Sequence, residues 1–296
     1  MNTISSRIPS SQRHPHLFAA LLTLLMSTAC AFDSQAPQEE DAESHDSAIT
    51  NAYVDGPGYI VNFGGCSGSV IAPNYIVTAA HCFNRTAPFA VTVRSGLYSE
   101  TIAYSGVADV VVHPNWSPNA SDHVSWDIAL VHLWNNGVGT SFPRALVYGG
   151  PEAPWTSRGG TFYISGYGRG SDPGGAKNCS GADNGGILKR GANFAFLGTG
   201  AKSGSTWLTS DSYSSLRSTC NGDSGAPYVL PRNGTDFIFG VHSSSANVAN
   251  GTIRGPLLAP KMDWILNTAA GLGAPLSCPY VRDHRTSPTM SYWRCS

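Results

Sequence analysis

Three short stretches of this chain carry side chains that could do nucleophilic chemistry together. The first is Thr219-Cys220-Asn221-Gly222-Asp223-Ser224-Gly225-Ala226-Pro227, where one serine stands between glycines with an acid directly before it. Glycine permits backbone conformations other residues avoid and lets a substrate approach bare peptide N–H groups. A serine hydroxyl is a weak nucleophile until a base takes its proton. Thr78-Ala79-Ala80-His81-Cys82 offers that base, with small residues before the histidine and a cysteine after it. Trp126-Asp127-Ile128-Ala129-Leu130 offers an acid that could orient the imidazole. A carboxylate beside such an apolar run would be costly unless paired. Each stretch has an ordinary reading of its own: a Gly/Ser/Asp turn, a surface histidine, a solvated turn aspartate. Asp109, the other acid in a β-like run, lacks the aromatic-then-aliphatic frame, and the other eight histidines lack the setting of His81. No His-Glu-x-x-His pattern suggests a metal site.

The elements that must position these residues read as short strands. Tyr59 to Phe63, Gly68 to Ala72, Tyr75 to Thr78, Ala90 to Arg94, Val107 to His113 and Ile128 to Leu133 are β-like runs. Gly, Pro and Asn punctuate them, and Pro73-Asn74 marks a turn between the second and third. Many short strands with almost no helical periodicity argue for antiparallel barrels or sandwiches.

The chain's 296 residues suffice for one large all-β domain or two smaller ones. A formal net charge of −1, with 12% charged residues, gives no reason to expect nucleic acid as a partner. At the N-terminus, Arg7 and Arg13 precede the apolar run Leu17 to Met26, and small residues follow. That is the pattern of an export signal, here residues 1–31, and the run is too short for a permanent bilayer span. Residues 32–48 are acidic and polar, a linker or propeptide unable to bury enough surface to order itself. The cysteines number seven, and the six beyond Cys30 are the even count of a disulfide-bonded exported protein. Cys30 is either lost with the signal, giving a secreted protein, or retained as a lipidated N-terminus anchoring a bacterial lipoprotein. Of six Asn-x-Ser/Thr sites, Asn84 and Asn233 among them, each would carry a glycan only in a eukaryotic secretory host.

With Cys66 and Thr78-Ala79-Ala80-His81-Cys82, then Asp127-Ile128-Ala129-Leu130, then Gly222-Asp223-Ser224-Gly225, the chain closely resembles the chymotrypsin/trypsin family of serine endopeptidases. Val112-His113-Pro114-Asn115 and Ser165-Gly166-Tyr167-Gly168 look like two further landmarks, and the match covers roughly 49–267. An α/β-hydrolase would instead show Gly-x-Ser-x-Gly and the order Ser, acid, His; Ala226 stands where its last glycine should be. The resemblance implies an all-β fold of two six-stranded antiparallel barrels with the site between them. The first barrel would span about 49–150 and the second about 151–260, followed by a helix at 261–267 and a disulfide-looped extension, 268–296. It implies Ser224 as nucleophile, His81 as general base and acid, and Asp127 as its orienting acid. The backbone N–H groups of Gly222 and Ser224 would form the oxyanion hole. No cofactor is implied; the partners are protein or peptide substrates, and a monomer is expected. A catalytically idle, protease-like binding protein is the alternative, although no triad member is missing.

Finer features follow the family with departures. In the family a new N-terminus pairs with the acid before the serine, so Ile49 and Asp223 form the implied activation pair, with Ala48 rather than a basic residue before the cut. Ser218, six before the nucleophile, falls at the floor of the specificity pocket and is neutral, which disfavours Lys or Arg. Ser243 and Ser245 fall where the family places main-chain substrate contacts and a pocket wall. A serine in place of glycine would narrow that pocket toward small or medium apolar residues. The resemblance implies Cys66–Cys82. Cys220 usually pairs with a later cysteine, but none lies between Val229 and Ser277, which leaves Cys179–Cys220 and Cys278–Cys295 as the expected pairs among three connectivities.

Overall fold

The computed structural model describes residues 55–149, 161–168, 186, 188–202, 205–212, 219–232, 234–247, 252–283 and 290–296. All belong to one compact unit, Ser44–Ser296. Ile49, Cys179 and Ser218 lie outside the described residues, as do the export signal, Cys30 and the acidic segment.

The first half closes on itself. Its six strands are β1 (Ile60–Asn62), β2 (Ser67–Ala72), β3 (Tyr75–Thr78), β4 (Ala87–Ser95), β5 (Thr101–Val112) and β6 (Ala129–Leu133). They form a closed barrel in the order β1-β2-β3-β6-β5-β4. The Pro73-Asn74 turn brings Ala72 opposite Tyr75, as the sequence predicts. Inward residues alternate along the strands and fill the barrel with Val61, Val70, Ile76, Val93, Val110 and Val131. β-Branched side chains suit this pleated, half-buried surface. A single helical turn, α1 (His123–Trp126), precedes β6, so Asp127 lies in the turn between them and not in the strand itself.

Among the described residues, the strands of the second half join in one ten-stranded sheet. Its strands are β7 (Leu146–Tyr148), β8 (Thr161–Gly166), β9 (Lys189–Lys202), β10 (Ser205–Ser212), β11 (Pro227–Arg232), β12 (Thr235–Val241), β13 (Ser244–Asn247), β14 (Thr252–Pro256), β15 (Tyr280–Asp283) and β16 (Met290–Trp293). The order is β13-β14-β10-β9-β8-β11-β12-β7-β16-β15. Six of these, β8 to β12 with β14, come back toward one another: an isolated bridge pairs Gly240 with Leu257, and Leu258 N–H donates to the Phe239 carbonyl at 2.9 Å. The ladder extends past six because β7 pairs parallel with β12 on one side and antiparallel with β16 on the other. The C-terminal extension thus covers a strand edge that would otherwise expose unpaired backbone groups. A disulfide between Cys278 and Cys295 closes its hairpin.

An aromatic cluster of Phe162, Phe194, Tyr228 and Phe239 fills the second half. A third apolar cluster, including Tyr75, Leu130, Val229, Val241 and Ile265, draws on both halves and on helix α2 (Met262–Gly271). Among the described residues, no helix is long and apolar enough to cross a membrane.

Candidate active site

The loop from Cys220 to Pro227 presents Ser224 under tight backbone control. Ala226 N–H donates to the Asp223 carbonyl at 2.9 Å, and Gly225 N–H donates to the His242 carbonyl at 2.8 Å. Gly222 has φ +101° and Gly225 φ +84°, in the region that favours glycine. Space demands glycine as well: a Cβ on Gly225 would sit 2.1 Å from the Ser67 carbonyl oxygen, and one on Gly222 would sit 2.8 Å from Gly168 Cα. Asp223 is fully buried; its carboxylate accepts from Gly168 N–H at 3.0 Å and Cys220 N–H at 2.9 Å. Gly166 and Gly168 make room for it, since a Cβ on either would approach that carboxylate within 2.7 Å.

Ser67, beside Cys66 at the start of β2, ties this loop to the first barrel. Its N–H donates to the Ser224 carbonyl at 2.7 Å, its hydroxyl donates to the Gly222 carbonyl at 2.9 Å, and Tyr167 N–H donates to that hydroxyl at 2.9 Å. One buried serine thus fixes the peptide units on both sides of Asp223-Ser224 from across the barrel boundary.

His81 lies in a 3-10 turn, Ala80–Cys82, at the end of β3. Ala79 and Ala80 are fully buried, so the turn is wedged against the core, and the Cys66–Cys82 disulfide pins its far end. His81 Nδ1 is 2.6 Å from Asp127 Oδ2, and its backbone N–H donates to Asp127 Oδ1 at 2.8 Å. Asp127 is 2% exposed. Burial by itself would raise its carboxyl, but the hydrogen bonds and charge of His81, with a bond from Ser243, hold it below the ordinary carboxylate value. An ionised carboxylate only accepts, so His81 Nδ1 is the donor in this contact, which in the neutral imidazole leaves Nε2 as an acceptor. His81 and Ser224 share a cleft of about 430 Å³ with Gly222, Asn221 and the Cys66–Cys82 disulfide. The structure therefore gathers His81, Asp127, Ser224 and Gly222, which are 143 positions apart in sequence from His81 to Ser224 (224 minus 81).

A family model described as Trypsin matches residues 51–263. The chain belongs to the trypsin family of serine proteases. Proproteinase E of Bos taurus is 30% identical over 230 residues, spanning 69% of this chain and 83% of that protein. Chymotrypsin-like elastase family member 1 is 27% identical over 223 residues in Canis lupus familiaris and 28% over 218 in Homo sapiens. Each of those alignments spans 69% of this chain and 81% of the relative.

Within this trypsin-family site, Ser243 has a part that the sequence reading did not assign to it. Its hydroxyl donates to Asp127 Oδ2 at 2.5 Å, so its side chain is engaged by the buried acid, and it does not line the cleft. Ser245 stands in β13, and Ser218 lies outside the described residues. Cys220 is disulfide-bonded, with its expected partner Cys179 outside the described residues, while Cys66–Cys82 and Cys278–Cys295 are both formed. Cys66, His81 and Cys82 place potential ligand atoms within 4.8 Å of one another, but both sulfurs are spent on the disulfide.

Two further buried groups lie near Asp127. His242 is 3% exposed, with Nδ1 3.2 Å from the Tyr228 hydroxyl. Burial first, then the charge of His81, pushes its imidazole down to about 3, against an opposing pull from Asp127. It therefore stays neutral at neutral pH. On the other side, Trp126 stacks on His113 at 4.6 Å, His113 meets Trp264 at 4.9 Å, and Lys261 Nζ lies 3.5 Å over the Trp126 ring. This cluster braces the residue next to Asp127. Burial, then the Lys261 charge, lowers His113 to about 4, and burial lowers Lys261 to about 8. The histidine-proline pair was legible as a landmark; its stacking partners, distant in sequence, were not.

Proposed function

We propose that the protein is a serine endopeptidase that hydrolyses peptide bonds through an acyl-enzyme, with His81, Asp127 and Ser224 as its triad. The observation that carries this reading is the buried Asp127 carboxylate, held by His81 Nδ1, His81 N–H and Ser243 Oγ. That arrangement leaves His81 Nε2 as a base on the side of the cleft it shares with Ser224. Ser224 Oγ attacks the scissile carbonyl carbon while Nε2 takes its proton. The tetrahedral oxygen is met by the N–H groups of Gly222 and Ser224, a contribution of roughly 3–4 kcal/mol per donor in related sites. His81 then returns the proton to the leaving nitrogen, and water repeats the sequence on the ester. Asp127 holds the tautomer and stabilises the imidazolium without itself taking the proton.

Several finer readings go with this one. The Gly240–Leu257 bridge and the Leu258 N–H bond support reading β8 to β12 with β14 as the second barrel, for the two-barrel architecture. Cleavage follows small or medium apolar residues: Ser218, six before the nucleophile, is neutral, and several relatives bear the name elastase. Processing before Ile49 pairs the new N-terminus with Asp223, whose burial between Gly166 and Gly168 suits a charge that must be enclosed. Disulfides support action outside the cytoplasm, with release or lipid anchoring through Cys30 decided by the mass of the mature N-terminus.

A fluorophosphonate probe tests the central reading. It labels the processed protein and does not label Ser224→Ala. Absence of label on correctly processed protein leaves the idle binding protein as the reading. An Arg-based chromogenic peptide turned over as fast as its Ala counterpart overturns the apolar preference.

A further inference from the structure

The cleft that holds His81 and Ser224 has an aromatic wall. It is lined by Phe63, Gly64 and Gly65 from the β1–β2 turn and by Phe83 just after the Cys66–Cys82 disulfide. Phe63 and Phe83 meet edge to face, with ring centroids 5.6 Å apart. Phe63 is seated firmly, because the space a Cβ on Gly68 would take is filled by its ring at 2.8 Å. Phe83 packs in turn on Phe89 at 5.6 Å. Gly64 and Gly65 leave the wall between them open, since a Cβ on either would meet nothing within 4 Å. Among the described residues, His81 is the one titratable side chain along the lining, and a volume of about 430 Å³ has room for a large side chain.

Which half of a substrate enters this cleft follows from proton traffic. His81 must deliver a proton to the departing nitrogen, so the chain beyond the scissile bond leaves on the His81 side. The acyl half runs the other way, toward Ser243 and β13, and Ser243 is not part of this lining. We propose that the cleft is a selective leaving-group pocket, in which Phe63 and Phe83 favour a bulky apolar or aromatic residue just after the scissile bond. The proposal rests on the serine-protease reading above and adds a second specificity to it. Charged residues are disfavoured there because the walls offer rings and bare peptide and no counter-charge.

Acyl transfer isolates this pocket from the acyl side. In the reverse of the first step, an amine enters the leaving-group site and its nitrogen attacks the carbonyl carbon of the Ser224 ester. The new C–N bond forms, the C–Oγ bond breaks, and His81 carries the proton from nitrogen to Ser224 Oγ. An N-acetylated peptide methyl ester, ending in the residue the enzyme prefers, generates one acyl-enzyme. That intermediate is partitioned between water and phenylalaninamide, leucinamide, glycinamide or aspartic acid amide. The ratio of amide product to acid product is internal to molecules that have already acylated, so misfolded protein does not enter it.

Phenylalaninamide is expected to capture the acyl group about ten-fold or more better than glycinamide or aspartic acid amide, in line with burial of one aromatic side chain. In the Phe63→Leu, Phe83→Leu double variant the advantage of phenylalaninamide over leucinamide falls several-fold. In Gly65→Leu, whose new side chain projects into open space, the advantage of phenylalaninamide over glycinamide collapses. Equal partitioning among the amides, or a preference unchanged in both variants, overturns the pocket assignment while leaving the hydrolase reading intact. No turnover of any ester by processed protein overturns both.

Discussion

Asp127 is the residue on which the site's electrostatics turn. Removing its carboxyl from water disfavours the charged form, and three donors restore it. Asp127→Asn keeps the shape but lets His81 settle in the wrong tautomer. A loss of about 10⁴ in kcat is expected, as in comparable triads, measured on an ester or peptide anilide with Ser224→Ala as the zero. Ser243→Ala removes one hydrogen bond to a charged group, worth about 1.5–3 kcal/mol. The expected result is a roughly ten-fold or larger fall in kcat/KM and a displaced acid limb of its pH profile. An unchanged profile would show that the 2.5 Å contact is incidental to His81. His81, Asp127 and Ser224 were legible as candidates because each stands in a short motif. The roles of Ser243 and His242 were not, since they depend on which side chain a strand end turns toward Asp127.

At the scale of elements, the Ser224 loop and the β2 start behave as one piece. Ser67 spends its amide and hydroxyl on the Ser224 and Gly222 carbonyls. Gly225→Ala would force φ +84° on an L residue and drive a methyl against the Ser67 carbonyl and Thr78 Oγ1. We expect a fall of several kcal/mol in stability, seen as a clear drop in Tm, whereas Gly65→Ala, with open space around it, changes Tm little. The C-terminal hairpin is the other coupled element. It pairs β16 with β7 and is closed by Cys278–Cys295, a span of 17 residues. Loop-closure entropy puts that disulfide at about 3 kcal/mol, so the Cys278→Ser, Cys295→Ser double variant should lose Tm by several degrees. Pro275, Pro279 and Pro288 bar a long helix from 268–296, but only pairing with β7 shows that the segment joins the sheet.

Over the whole molecule, acid stability should be set by groups that are neutral inside and basic outside. His113 and His242 are lowered to about 4 and about 3, against about 6.5 for an exposed imidazole. Their contribution is complete above pH 6.5. As pH falls below that value the unfolded chain takes up protons the native protein refuses, so stability declines down to about pH 4 and pH 3 respectively. Asp127, lowered in the native state, loses its own contribution in the acid range as it protonates. Denaturant unfolding between pH 3 and 7 should give a positive slope of stability against pH, up to about 1.4 kcal/mol per pH unit per group. His113→Gln is expected to flatten that slope by one proton's worth; an equal slope in the variant would mean that His113 titrates normally in the folded protein.

What the sequence determined by itself was the family, the candidate triad and the strand texture. The proposed nucleophile, base and acid each occur in a local frame of glycines, alanines or aliphatic residues, and alternation with turn residues specifies strands at short range. Tertiary structure alone decided how those strands close and which polar groups meet in the interior. The first barrel seals with six strands, but among the described residues the second sheet gains β13 at one end and β7, β16 and β15 at the other, where the chain's own C-terminal hairpin pairs the edge of β7. Likewise the three-donor cradle of Asp127 and the Phe63–Phe83 wall join residues far apart in the chain. Burial energies of that kind depend on distances between elements, and no local pattern records them.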